Sequence, residues 1–109
     1  MSLVDIPYLE RFREPMLDGS KTQTARTKRY GHVGDRFMAF GALFEITWVG
    51  KQFLYRVRDA WQAEGFKSPG EFEVVWGIMH FRRGYVPTWV VWVHKFKKVE
   101  VQPCHSRRR

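Results

Sequence analysis

The segment Gly19-Ser20-Lys21-Thr22-Gln23-Thr24-Ala25-Arg26 carries a primary amine, two hydroxyls and a guanidinium within six residues, directly after a glycine placed to end a helix. Thr22, Thr24 and Arg26 share one parity, so in an extended chain they face the same side. Lys21 faces the other side unless the turn at Gly19-Ser20 brings it round. Such a cluster suits the gripping of a phosphate or a nucleobase, or the activation of a hydroxyl. A solvated strand could carry the same residues without any such role.

The elements that must position this cluster read as follows. Phe12–Asp18 is a short helix, with Phe12 and Met16 on one face and Gly19 at the left-handed position past its end. Lys21–Arg26 is a strand or extended loop, and Tyr30–Asp35 is a turn-rich loop. Arg36–Phe40 and Leu43–Val49 read as strands around Gly41-Ala42, and the alternation in the second turns Phe44, Ile46 and Trp48 to one face. Phe53, Tyr55 and Val57 alternate with Leu54, Arg56 and Arg58, which gives a further strand after a Gly50-Lys51-Gln52 turn. Ala60–Phe66 is a short helical turn or loop. Ser68-Pro69-Gly70-Glu71 opens a helix with a capping box, and Phe72, Val75, Trp76 and Met79 follow with helical spacing, so that helix ends near His80–Arg83. Thr88–Phe96 has two apolar faces, the pattern of a central strand buried on both sides. Trp48, Trp76 and Trp92 are placed to face a core. The order predicts an α+β fold, a small β-barrel with short helices packed against it.

At 109 residues, 44% hydrophobic and 17% aromatic, the chain has material for one core. Residues 1–100 are expected to form one domain, and 101–109 a basic, disordered tail. No apolar run approaches the roughly 20 residues of a membrane span, and the N-terminus does not read as a signal peptide. The lone Cys104 admits no internal disulfide, which fits a cytoplasmic protein. His32, His80, His94 and His105 lack metal-ligand spacing, so no metal and no cofactor is expected. The net charge is +8, and setting aside Arg107–Arg109 leaves +5 on the body. A positive surface with many aromatics points to a polyanion, above all nucleic acid.

Gly19–Arg26 resembles the G-x-K-T-x-T-x-R signature of the ASCH family, within the PUA-like superfamily. Gly34-Asp35, Glu64-Gly65-Phe66 with Ser68-Pro69, and Val93-His94-Lys95-Phe96 are similar to later family segments and keep their order. The resemblance spans roughly Ile6 to Phe96. It implies a PUA-like barrel with a cleft between barrel and helices, and a partner that is RNA or a modified nucleoside. Some small members are amidohydrolases that remove the acetyl group of N4-acetylcytidine, and others are RNA-binding modules or ribonucleases. Carried over by motif, the catalytic positions are Lys21, Thr24 and Glu64, although Glu71 and Glu73 lie close enough in sequence to compete with Glu64.

In that setting Lys21 would act as base, provided its pKa falls, and Thr24 as nucleophile. Glu64, flanked by Trp61 and Phe66, would be the acid toward a departing amine. Thr22 and Arg26 are candidate substrate-binding residues, and Trp61 a candidate platform for a base. The first expectation is therefore RNA or nucleoside binding in a basic cleft around the Gly19–Arg26 segment. Deacetylation of N4-acetylcytidine through Lys21, Thr24 and Glu64 is the alternative. A protein-interaction module using the basic tail is a third reading, and it would make the Lys21–Arg26 cluster dispensable.

Overall fold

The computed structural model describes residues 2–100. A short 3-10 turn at Glu10–Phe12 runs into helix α1 (Arg13–Asp18), which Gly19 ends at φ 88°, as expected. Strands β1 (Gln23–Arg26) and β2 (Arg36–Ala39) follow, then the long β3 (Ala42–Phe53). Helix α2 (Leu54–Asp59), helix α3 (Pro69–Met79) and strand β4 (Val90–Lys98) complete the order. The fold is α+β. The strands form one antiparallel sheet in the order β1-β4-β3-β2, curled into a half-barrel.

β4 lies centrally, between β1 and β3, as its two apolar faces require. Cross-strand partners share a face, so the register sorts its side chains. His94 and Phe96 lie on the face of Thr24 and Ile46, their partners in β1 and β3; Val93 lies with Ala25 on the other. One core gathers Phe12, Met16, Phe37, Phe44, Ile46 and Phe96. The other gathers Ala25, Leu54, Val57, Phe72, Trp76, Val91 and Val93. Phe66 packs against both, edge-on to Phe12 at 5.4 Å and to Phe72 at 5.3 Å.

Five expectations need correction. Residues 54–59 are helical, because Leu54 and Val57, three apart, both enter the second core, whereas the period-two reading of Phe53–Arg58 required Phe53 and Tyr55 to be buried; both are exposed. Gly50 is not in a turn but inside β3: a Cβ there would come within 2.4 Å of the Trp48 ring. A bulge between Ile46 and Trp48 breaks the alternation, so Phe44 and Ile46 are buried while Trp48 is exposed. Trp92 is only half-buried, and Trp76 alone of the three expected tryptophans is fully in the core. Ser68 caps α3 through the Glu71 N–H as expected, yet the Glu71 carboxylate reaches back to Lys67 N–H rather than Ser68.

Candidate functional site

β1 pairs with β4 on one side only. Its other edge meets the chain that follows α2, where the backbone N–H groups of Thr22 and Gln23 donate to the Ala63 carbonyl at 2.8 and 3.1 Å. This brings Glu64, forty-three residues away, beside Lys21. Gly65 makes the approach possible. It sits at φ 92°, and a Cβ on it would stand 3.1 Å from the Lys21 stem.

The Lys21 ammonium is buried. It donates to the Gln23 carbonyl at 2.9 Å and the Glu64 carbonyl at 2.6 Å, and lies 4.4 Å from the centre of the Phe12 ring. Its distance to Glu64 Oε1 is 4.0 Å. Glu64 Oε2 accepts from Gln23 Nε2 at 2.8 Å. Burial pushes the Lys21 pKa down to about 8; the Glu64 charge opposes this, and Arg26 and Arg11 add to it. Burial raises the Glu64 pKa, against the pull of Lys21, the Gln23 amide, Arg26 and the Ala25 N–H. Each group is thus driven toward its neutral form by loss of water and toward its charged form by the other.

Lys21, Thr24, Arg26 and Glu64 line one cavity of about 210 Å³ at the β1 edge, between the two cores. Its walls are largely apolar, with Phe12, Tyr30, Phe66 and Trp76 among them, and His80, the residue that follows α3, lines it too, stacked on Trp76 at 4.1 Å. Thr24 is buried and Arg26 half-buried; the Arg26 guanidinium lies 4.9 Å from the Tyr8 ring centre and donates to the Pro7 carbonyl at 2.7 Å. Tyr30 is held by its backbone N–H, which donates to His94 Nε2 at 3.0 Å. That bond makes Nε2 an acceptor, and burial lowers the His94 pKa to about 4, so the imidazole is neutral with its proton on Nδ1.

Two candidate residues lie outside this cavity. Thr22 is exposed, its backbone spent on Ala63 and Phe96, and Trp61 is half-buried against the second core. The competing carboxylates are engaged elsewhere: Glu71 with Lys67 N–H and Arg11, Glu73 with Arg58. Sequence reasoning missed Gln23, Tyr30, Gly65, Trp76 and His80 as parts of the site. A signal existed only for Gly65, adjacent to Glu64. Among the described residues no three His, Cys, Asp or Glu side chains gather as a metal site, and no helix is long and apolar enough to cross a membrane. Cys104, His105 and the expected tail at 101–109 lie outside the described residues.

The half-barrel with its flanking helices is the fold of an ASCH domain. The chain superimposes on an ASCH domain from Lactobacillus crispatus with a TM-score of 0.69 at 15% identity, covering 89% of this chain and 78% of that one. A hypothetical protein (TM-score 0.61, 16% identity, 91% of this chain and 100% of that one) is similar in the same way. So is a protein from Enterococcus faecalis (TM-score 0.60, 16% identity, 90% and 75%). At such identities the likeness is one of fold. No family model and no curated protein matches the sequence.

Proposed function

We propose that this chain is an amidohydrolase that removes a small acyl group from the exocyclic amine of a nucleobase, N4-acetylcytidine being the substrate the family resemblance supplies. The observation that carries the reading is the burial of Lys21 and Glu64 side by side on the wall of a cavity that Thr24 also lines. At about 210 Å³ the cavity is smaller than the roughly 300–1,000 Å³ of sites for drug-sized ligands. A single base with its acyl group suits it better than a whole nucleotide, and the aromatic walls suit a planar ring.

The chemistry runs through the proton shared by the pair. The ion pair (ammonium and carboxylate) and the neutral pair (amine and carboxylic acid) contain the same number of protons, so pH does not choose between them. The neutral pair is the working form. The Lys21 amine takes the proton of Thr24 as its oxygen attacks the acyl carbon. Protonated Glu64 gives its proton to the departing amine. Arg26 faces the same space and can hold the acyl oxygen as it gains charge. Water then attacks the Thr24 ester and gives its proton to the Glu64 carboxylate, while the Lys21 ammonium returns one to the leaving Thr24 oxygen, so both groups regain their starting states. Removing the one shared proton stops the acid, and adding a second stops the base. The rate should therefore be bell-shaped in pH, with the alkaline limb near 8 and the acid limb above the ordinary carboxylate range.

A second reading, binding of RNA or a nucleoside without turnover, is favoured by one observation: two carbonyls already hold the Lys21 ammonium. Steady-state assay of purified protein on N4-acetylcytidine separates the two. Thr24→Val keeps the shape and removes the nucleophile, so it should abolish turnover while leaving the dissociation constant nearly unchanged. Lys21→Arg should not restore a Lys21→Ala loss, since arginine stays charged. Turnover by Thr24→Val at the parental rate refutes the mechanism.

A further inference from the structure

The register of the sheet places Arg26, Trp92 and Lys51 in one row across β1, β4 and β3, at the end of the sheet beside the cavity. Strands stand about 4.8 Å apart, so the row spans about 10 Å. More cations converge on it. The Arg29 guanidinium and the Lys51 ammonium lie 5.2 and 5.1 Å from the Trp92 ring centre, and Lys28 lies 5.2 Å from that of Tyr30. Arg26 and Tyr30 also line the cavity, which joins the row to its rim.

None of these four cations is within ion-pair distance of a carboxylate among the described residues. Four like charges around two aromatic rings repel one another, and a neighbouring anion relieves that cost. A single small anion meets one or two of them. A chain of anions at spacings of several ångströms meets the whole row, and Tyr30 and Trp92 hold the cations that line it.

We infer that the Arg26–Trp92–Lys51 row, with Lys28 and Arg29, is a docking track for single-stranded nucleic acid, whose phosphates it holds while one base enters the cavity. The inference deepens the proposed function and rests on it for the base in the cavity, while the track is tested without turnover. Arg29 and Lys51 are exposed and outside the catalytic group, so their substitution leaves the site itself unchanged.

The test is the dissociation constant of a short, unacetylated single-stranded oligonucleotide containing cytidine, measured against salt, with free cytidine as the comparison. Each phosphate contact contributes a log–log slope of about −0.7 for single strands. The double variant Arg29→Glu/Lys51→Glu should flatten the slope by about 1.4, weaken the oligonucleotide at least tenfold at low salt, and leave free cytidine within twofold. Arg107–Arg109 are retained in every protein, so their contribution cancels. An unchanged slope and affinity in the double variant overturns the inference, as does equal weakening by Lys97→Glu/Lys98→Glu, two charges distant from the row. Hydrolysis of acetylated cytidine without oligonucleotide binding refutes the track alone. Oligonucleotide binding that depends on the track, with no hydrolysis of any acetylated form, refutes the proposed activity alone.

Discussion

Replacing Glu64 by glutamine tests the pairing on which the proposed chemistry depends. The side chain keeps its shape and can still accept from Gln23, but its charge is gone. Unit charges about 4 Å apart attract by about 4 kcal/mol at an effective dielectric constant near 20, and the Lys21 ammonium stands 4.0 Å from Glu64 Oε1. One pH unit corresponds to about 1.4 kcal/mol, so losing that attraction should lower the Lys21 pKa by about 3. The variant's Lys21 should therefore titrate well below the parental value of about 8. The direct assay is a titration of Lys21 followed by heteronuclear NMR at its Cε and Nζ, assigned by comparison with Lys21→Met.

Stability gives a second readout with a definite sign. An unfolded lysine titrates near its ordinary 10.5, and the folded one near 8. Between those values the unfolded chain binds more protons, so stability rises with pH across that window and is flat below it. The wild-type rise is about 3 kcal/mol. In Glu64→Gln the window opens downward from about 8, so just below that pH the variant should gain about 1.4 kcal/mol per pH unit from Lys21, where the parent gains none from it. The absolute stability of the variant is a poorer guide, because removing Glu64 also removes the cost of burying its charge. A Lys21 pKa in Glu64→Gln at or above its parental value would refute the coupling, and with it the shared-proton mechanism.

Two further outcomes follow from residues beside the site. Gly65→Ala forces a Cβ into a left-handed position and against the Lys21 stem, and should cost about 1–3 kcal/mol in chemical denaturation, whereas Gly19→Ala, at a similar φ but in open space, should cost about 1 kcal/mol. His94 is buried and neutral, with its pKa lowered to about 4, so the folded state binds fewer protons between about 4 and the ordinary 6.5. Its contribution is complete above 6.5 and is lost as pH falls through that window, by about 3 kcal/mol in all. His94→Gln should remove this one-proton slope, and an unchanged acid profile would show that another group carries it.

Much of the scaffold was legible because local rules and tertiary packing agree there. Gly19 ends α1, Ser68 caps α3, and the two apolar faces of Thr88–Phe96 mark β4 as central. Reading failed where packing overrode local pattern. Residues 53–58 alternate well enough for a strand, but Leu54 and Val57 find a core only on a helix. Gly50 reads as a turn, yet its missing side chain makes room for Trp48. The site divides the same way. Thr24 and Arg26 were placed by strand parity, and Lys21 comes round to join them, as only the turn before it allowed. Nothing local marked Thr22 as lying outside, since its parity matches theirs. Trp61, outside any periodic segment, reads as the aromatic partner, while the cavity takes Trp76 from within α3, where helical spacing signals only a core.

The location of the costs separates site from scaffold. Gly19, Gly34, Gly41 and Gly84 also have positive φ, but around each there is open space, as at ordinary turns and caps. Gly65 is the positive-φ glycine pressed against another side chain, and that side chain is Lys21. Three of the buried ionisable groups follow the same pattern, while Asp35, just before β2, accepts from the Ser2 and His32 N–H groups. Lys21 and Glu64 give up water on the cavity wall, and His94 gives it up to hold the backbone of Tyr30, which forms another part of that wall. A methionine at 21 and a leucine at 64 would fill comparable space without the cost of burying charge, since apolar replacements of buried ion pairs are often neutral or stabilising. Stability therefore gives no reason for an amine and a carboxyl to be there. A reaction that needs a neutral amine and a protonated acid at the same pH does give one, because an amine and a carboxyl held side by side out of water can supply both from a single proton.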